Sequence, residues 1–165
     1  MDIEEINFET LFGIAVKSEI ESRDVYEYMA EKTKNYLLKD RLKFLANEEK
    51  KHEEFLRNYF SKMFPNKELK LPEESPVPLP HIEYDADTPI SSILEQSMKA
   101  ELAARDYYLS MSKKAEKMGD IELAKGLYYL ANMEMGHYHI LENELESEKR
   151  FEDYDAYWPM MHVGP

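Results

Sequence analysis

The stretch ELAARDYYLSMS, residues 101–112, has a near-copy earlier in the chain in EIESRDVYEYMA, residues 19–30. Both begin with Glu, have Arg-Asp at the fifth and sixth positions, Tyr at the eighth and Met at the eleventh. A second pair, LANEEKKH at 45–52 and LANMEMGH at 130–137, shares the pattern L-A-N-x-E-x-x-H. The offsets of the two pairs differ by only three residues, which a turn between helices can absorb. The chain is therefore an internal duplication of one helical hairpin.

The first copy of the hairpin is predicted at residues 7–63. Apolar residues recur there at spacings of three and four, which is typical of helices that bury one face. A break near Lys34 and Asn35 divides the segment into two helices. Thr33 or Asn35 is a suitable N-cap for the second helix, because either side chain can accept a hydrogen bond from a free backbone N–H.

The second copy is predicted at residues 89–149. Thr88 and Pro89 form a restart signal, in which a hydroxyl N-cap precedes a proline at the first helical position. Gly119 and Asp120 then end one helix and begin the next.

A crossover of residues 64–88 joins the hairpins, and six of the eight prolines lie between Pro65 and Pro89. Prolines at this density exclude a helix and predict an extended surface segment. A connection this long suits two antiparallel helix pairs placed side by side. We therefore predict an all-α four-helix bundle that forms a single domain over residues 1–165. The tail at 150–165 is aromatic but aperiodic, and whether it packs on the body or on a partner stays open.

The composition excludes several functional classes. The chain has no cysteine, which rules out disulfides, thiolate metal sites and cysteine catalysis. Its formal net charge of −13 makes nucleic acid and anionic membrane surfaces unsuitable partners. The first residues lack the basic and apolar regions of a secretory signal, and no apolar run is long enough to span a membrane. We therefore expect a cytoplasmic protein.

Each copy of L-A-N-x-E-x-x-H is a candidate half-site for a metal. Glu and His at i and i+3 lie on the same helix face, about one turn apart, so both can reach one ion. Their repetition at matching positions behind an apolar Leu-Ala pair argues against chance. The pairs are Glu49 with His52 and Glu134 with His137.

Glu19 and Glu101 lie on the apolar stripes of the leading helices, where a carboxylate is costly unless it is paired or metal-bound. Four buried carboxylates with two neutral imidazoles would be balanced by two divalent cations. An oxygen-rich donor set with one imidazole per metal suits iron or manganese, with zinc as a further substitute. The alternative is a set of solvated glutamates with two satisfied core histidines.

This constellation resembles the di-iron carboxylate site of ferritin-like bundles. More narrowly, E-x-x-x-R-D-x-Y on the leading helices resembles rubrerythrins. The resemblance covers about residues 11–148 and implies a ferritin-like fold with two bound iron ions. It implies bridging carboxylates at Glu49 and Glu134, with the other residues mainly terminal ligands. The implied ligands are Glu19, Glu49, His52, Glu101, Glu134 and His137.

Two departures from the family pattern affect the expected activity. Rubrerythrins usually carry a cysteine-containing rubredoxin domain, so here we expect the reductant to be a separate protein such as a rubredoxin. They also usually have a further glutamate three residues after the third-helix ligand, but this chain has Ala104, and Ser22 at the repeat position. The resemblance therefore implies a six-ligand centre.

Three functional hypotheses follow. The first is an oxidoreductase of the rubrerythrin kind that reduces hydrogen peroxide or dioxygen. The second is a ferritin-like iron-binding, ferroxidase or storage protein, and the third is a structural or regulatory bundle that keeps its site. We expect a homodimer or small homo-oligomer, in which the long crossover permits exchange of hairpins. Tyr26 and Tyr108 are candidates to hydrogen-bond ligand carboxylates, although tyrosine at this spacing is more often core.

Overall fold

Four helices form the bundle in the computed structural model, which describes residues 3–73, 77 and 79–157. The predicted all-α, ferritin-like architecture is confirmed, and no strand occurs among these residues. No helix in the described part of the chain is long and apolar enough to cross a membrane. The helices are α1 (Phe8–Lys32), α2 (Tyr36–Met63), α3 (Ile90–Lys117) and α4 (Ile121–Tyr157).

Polar side chains define where three of the helices begin. Asn7 accepts a hydrogen bond from the backbone N–H of Thr10 at the start of α1, and Asn35 caps α2 in the same way. Asp120 accepts from the N–H of Leu123 at the start of α4. The preceding Gly119 has φ +84°, a left-handed conformation that favours glycine after a helix.

The start of α3 differs from the sequence prediction. Pro89 is itself the N-cap, and α3 begins at Ile90 without a side-chain cap. The hydroxyl of Thr88 donates instead to the carboxylate of Asp85, which closes a turn of the crossover. Thr88 therefore stabilises the end of the crossover, and the expected hydroxyl cap of α3 is wrong.

The last helix is longer than its apolar pattern predicts. It was expected to end at residue 149 but continues to Tyr157, so the first half of the aromatic tail is helical. Apolar periodicity cannot reveal this extension, because the added turns carry mostly charged residues and tyrosines. The end of the tail, residues 158–165, for which the sequence left packing on the body or on a partner undecided, lies outside the described residues.

The hairpins pack with α1 antiparallel to α3. Near the end of α3, the Lys114 ammonium donates to backbone carbonyls of the segment that precedes α1. Near the end of α2, the Tyr59 hydroxyl donates to Asp120 in the α3–α4 turn, at 2.9 Å. The crossover must therefore travel the length of the bundle between α2 and α3. The carbonyls bound by Lys114 belong to Ile3, Glu4 and Ile6.

The crossover is held against α1 at two places. The Lys17 ammonium donates to the carbonyls of Pro72 and Glu73, at 2.9 and 2.7 Å. Farther along, the Tyr28 hydroxyl donates to the Asp85 carbonyl at 2.8 Å. These contacts attach the crossover to the bundle surface at residues 72–73 and at residue 85.

The core consists of two apolar clusters, one towards each end of the bundle. Every helix contributes residues to both clusters. Between these two sets of apolar residues, each helix carries at least one buried polar residue at a shared level of the bundle. The polar level therefore separates two independently packed apolar regions. The residues at this level are Glu19 on α1, Glu49 and His52 on α2, Glu101 on α3, and Glu134 and His137 on α4.

Gly13 allows the crossover to approach α1 closely. A Cβ atom at this position would lie 2.3 Å from the Lys70 carbonyl oxygen, which is a backbone atom and cannot turn away. We expect Gly13→Ala to lower the free energy of unfolding by about 1–2 kcal/mol, because overpacking outweighs the gain in helix propensity. Chemical denaturation of the two proteins measures the difference.

The control for this change is Glu27→Ala, on the exposed side of the same helix. A surface substitution of this kind should alter the free energy of unfolding by no more than about 0.5 kcal/mol. A Gly13→Ala protein as stable as the parent would contradict the close approach.

Candidate metal centre

The six residues predicted as ligands come together between the four helices, and we call them the candidate metal centre. All are buried, with exposed fractions of 1–4%. Two short motifs on α2 and α4 supply four of them, and α1 and α3 supply one glutamate each. The helical spacing of the sequence therefore places donor groups from separate hairpins at one level of the bundle.

Three carboxylates surround one ring nitrogen of His52. Its Nδ1 lies 3.2 Å from Glu19, 3.2 Å from Glu49 and 3.0 Å from Glu134. A single ring N–H cannot donate well to three oxygens at once. The convergence of oxygens around this nitrogen is the arrangement expected of ligands that share a cation.

His137 repeats this arrangement on the other side. Its Nδ1 lies 3.1 Å from Glu49, 3.2 Å from Glu134 and 3.8 Å from Glu101. The imidazole rings of His52 and His137 are stacked, with centroids 5.3 Å apart and planes 13° apart. The duplicated hairpins thus build two near-equivalent halves related by an approximate twofold axis.

The chemistry of the donor set fits metal binding. Ligand atoms of Glu49, His52, Glu134 and His137 all lie within 4.8 Å of one another. Several of the buried polar atoms have no partner in hydrogen-bond geometry, including Nε2 of both histidines and one carboxylate oxygen each of Glu49 and Glu134. Unpartnered polar atoms are costly in a protein interior, and their concentration at this level fits a group of residues that could hold a cation.

The two outer glutamates are protonated more easily than usual. Burial, together with the charges of Glu134 and Glu49, raises the pKa of Glu19 well above its usual 4.5. The pKa of Glu101 is raised by the same causes. Since a divalent cation would offset both the burial and the repulsion, these raised pKa values are a property of the metal-free centre.

The two inner glutamates behave in the opposite way. Burial alone would raise the pKa of Glu49, but contacts with His137 and His52 outweigh it and hold the pKa well below its usual value. The pKa of Glu134 is lowered by the same two histidines, against burial and the charge of Glu49.

The pKa values of the two histidines are raised by the same group of carboxylates. Burial would lower the pKa of His52, but contacts with Glu134, Glu19 and Glu49 raise it far above the usual 6.5. Contacts with Glu101, Glu134 and Glu49 similarly raise the pKa of His137. Without a cation, protonated imidazoles therefore take over the charge balance of the centre.

Two tyrosines connect the leading helices across the bundle. The Tyr26 hydroxyl on α1 donates to Glu101 on α3, and the Tyr108 hydroxyl on α3 donates to Glu19 on α1. Burial and the nearby carboxylates raise the pKa of both hydroxyls well above 10.0, so both stay protonated and able to donate. The sequence suggested these residues as partners of ligand carboxylates but could not indicate which carboxylate each one contacts.

The remaining candidates do not join the centre. Arg23 donates to Glu53 at 2.7 Å, and Arg105 contacts Asp106 and the sulfur of Met135. These carboxylates are outside the six-residue set.

The positions three residues after the leading glutamates also lack a further ligand. Ala104 packs against an apolar cluster, and Ser22 is half-buried. Neither side chain has a carboxylate, so neither position adds an acidic group to the candidate metal centre.

Comparison with known proteins gives a family and one similar structure. A model of the rubrerythrin family matches residues 11–145, and a second match to this family covers residues 92–159. Among solved structures, a hypothetical protein from Pyrococcus furiosus has 35% sequence identity and a TM-score of 0.74, over 92% of this chain and 98% of that chain. No curated protein matches the chain. The first family match includes all six residues of the candidate metal centre.

The metal-free protein should lose stability as the pH rises. Glu19, Glu101, His52 and His137 all have folded-state pKa values above their unfolded values of 4.5 and 6.5. The stability they contribute is full below those unfolded values and decreases as the pH rises towards the folded ones. Glu49 and Glu134 act in the opposite sense, but only as the pH falls below 4.5. We therefore expect the free energy of unfolding to decrease from about pH 5 to about pH 9.

Urea denaturation of chelator-treated protein across this range measures the decrease. The matched control is the Glu19→Gln/Glu101→Gln double variant, which keeps the side-chain shape but removes two of the titrating groups. Its stability should depend less steeply on pH. Equal slopes for the parent and the double variant would show that these carboxyl groups do not titrate as described.

The tyrosine hydroxyls should contribute to metal affinity. Tyr108→Phe removes the donor to Glu19 and leaves that carboxylate less firmly oriented. Loss of a hydrogen bond that orients a metal ligand typically weakens metal binding about 10- to 100-fold. Anaerobic titration with Fe(II) against a competing chelator measures the change.

The neighbouring tyrosine provides the control. Tyr107 donates to the Leu11 carbonyl at 2.9 Å and touches no residue of the centre through its hydroxyl. Tyr107→Phe should cost about 1 kcal/mol of stability and leave metal affinity unchanged. Equal affinities for the two variants would assign both tyrosines a purely structural role.

Proposed function

This chain belongs to the rubrerythrin family, and on that premise we propose that it is a non-haem di-iron oxidoreductase that reduces hydrogen peroxide or dioxygen. The observation that supports the proposal best is the convergence of four buried carboxylates and two imidazoles, several of whose atoms lack hydrogen-bond partners. Carboxylate oxygens with one imidazole per metal suit iron, with manganese or zinc as substitutes.

The pattern of distances suggests a role for each ligand. Glu49 and Glu134 each approach both histidines, at 3.0–3.2 Å, which is the position expected of carboxylates that bridge two metals. Glu19 approaches His52, and Glu101 approaches His137. On these distances, Glu19 and His52 would hold one iron, Glu101 and His137 would hold the other, and Glu49 and Glu134 would contribute to both.

The protein supplies the surroundings for this chemistry. When bound, two ferrous ions would supply the two electrons that, with two protons, reduce hydrogen peroxide to water. The carboxylates would hold the ions in a buried site, and Tyr26 and Tyr108 donate hydrogen bonds that orient the outer carboxylates. An electron donor such as a rubredoxin would return the electrons to the centre.

Metal analysis followed by rapid mixing tests this function. Anaerobically loaded protein should contain two irons per chain and should be oxidised much faster by hydrogen peroxide than by dioxygen. Oxidation by dioxygen at a comparable or greater rate, with retention of excess iron, would favour ferroxidase or storage activity. A chain that binds no metal would overturn the proposal.

A pair of histidines on α4 allows a matched test of the site. His137→Ala removes a proposed ligand and should reduce the bound iron to one per chain or fewer, with loss of peroxide-driven oxidation. His139→Ala is the control, because His139 lies in the same helix, is 58% exposed, and contacts Glu142 at the same three-residue spacing. It should retain two irons. Equal iron content in both variants would argue against the proposed ligand set.

A further inference from the structure

One side of α4 is exposed and uncharged, and we call it the outer face of α4. Tyr128 and Tyr129 are 58% and 63% exposed there. From residue 126 to 141 Glu134 is the only Asp, Glu, Lys or Arg, and it is buried in the centre. Such a stretch is unusual in a chain in which 33% of residues are charged. The residues of this face are Tyr128, Tyr129, Asn132, Gly136 and His139.

The duplication supplies an internal comparison. The matching helix α2 lies 85 residues earlier and presents an exposed face of its own. Lys43, Lys51 and Glu54 on α2 occupy the positions of Tyr128, Gly136 and His139 on α4. Phe44 and Asn47 match the other two positions, so three of the five residues are charged on α2 and none is Asp, Glu, Lys or Arg on α4. The difference indicates that the outer face of α4 has a different environment from that of α2.

Gly136 lies in the middle of this face. Glycine within a helix costs about 1 kcal/mol relative to alanine, so a packing reason is expected. A Cβ atom at Gly136 would meet no atom within 4 Å, and so the described part of this chain supplies no such reason. At Gly13 and Gly126, by contrast, a Cβ atom would collide with Lys70 and Phe55. A reason for Gly136 would be the close approach of a helix from another molecule.

The charges at the ends of the face are arranged for self-pairing. Lys125 lies eleven residues before Gly136 and Glu146 lies ten residues after it, and both are exposed. At 1.5 Å per residue, each is about 15–17 Å from Gly136 along the helix. If two copies of α4 cross antiparallel at Gly136, Lys125 of each copy lies opposite Glu146 of the other. Within one chain Lys125 has no ion pair among the described residues, and Glu146 has a 3.4 Å contact with Arg150.

We propose that the outer face of α4 binds a second copy of this chain, with the two α4 helices packed antiparallel and crossing at Gly136. Two chains that each carry a net charge of −13 repel one another over most of their surface. An uncharged centre with opposite charges at its ends removes that repulsion locally and matches itself under twofold symmetry. The surface faces away from the metal centre, so this proposal does not depend on the chemistry proposed there.

The first test compares the dimer dissociation constants of the parent and the Gly136→Lys variant, measured by sedimentation equilibrium of the full chain. The substitution gives α4 the residue that α2 has at the matching position, Lys51. It places two like charges at the crossing point, so the dissociation constant of the dimer should rise about 100-fold or more. Lysine is a better helix former than glycine, so circular dichroism and thermal unfolding should show an intact monomer.

The matched control is Lys51→Gly on α2, which should cost stability but leave the dissociation constant unchanged. A parent protein that stays monomeric at all concentrations would overturn the proposal. A dimer that Gly136→Lys weakens no more than Lys51→Gly does would overturn it as well.

Charge reversal tests the antiparallel arrangement. Lys125→Glu should weaken the dimer at least about tenfold, because it faces Glu146 of the partner subunit across the interface. The double variant Lys125→Glu/Glu146→Lys should restore the parent dissociation constant, since it recreates both ion pairs in reverse. A double variant as weak as Lys125→Glu alone would overturn the proposed crossing.

Discussion

Four carboxylates buried at one level of a helical bundle are the constraint on which the rest of this structure depends. Like charges in a low-dielectric interior repel strongly, and two neutral imidazoles do not offset four negative charges. In the absence of metal, the centre adjusts by raising the pKa of Glu19 and Glu101 and by protonating its histidines. Two divalent cations would remove the need for both adjustments, and this is why the arrangement is suited to a binuclear site.

The approximate twofold symmetry places one of the four buried carboxylates of the centre on each helix. A seven-residue step from Glu19 to Tyr26 on α1 is matched by a seven-residue step from Glu101 to Tyr108 on α3. Because these helices are antiparallel, each tyrosine arrives beside the glutamate of the other helix. The two hydrogen bonds therefore fix the register of the hairpins and orient the outer carboxylates at the same time.

Much of this centre could be predicted from the sequence because each half of it is local. Glu49 and His52 are one helical turn apart, and the duplication repeats that pair at Glu134 and His137. The partner of Tyr26 could not be predicted, because it depends on how two helices distant in sequence are aligned.

The ends of the elements were harder to predict for a similar reason. Thr88 had the chemistry of an N-cap, but its hydroxyl found a closer partner in Asp85. Spacing within one helix is set by backbone geometry, whereas pairings between elements and competition between hydrogen-bond partners are decided by the folded chain.

The crossover has a consequence for the assembly of the centre itself. Each hairpin carries only three of the six proposed ligands, so neither hairpin alone could enclose two metals. Covalent connection makes the meeting of the halves an intramolecular event, governed by the effective concentration that the crossover imposes and not by how much protein is present. The halves therefore meet in a fixed one-to-one ratio even when the chain is scarce. In this sense the crossover would act as part of the proposed metal site, although it contributes none of the six proposed ligands.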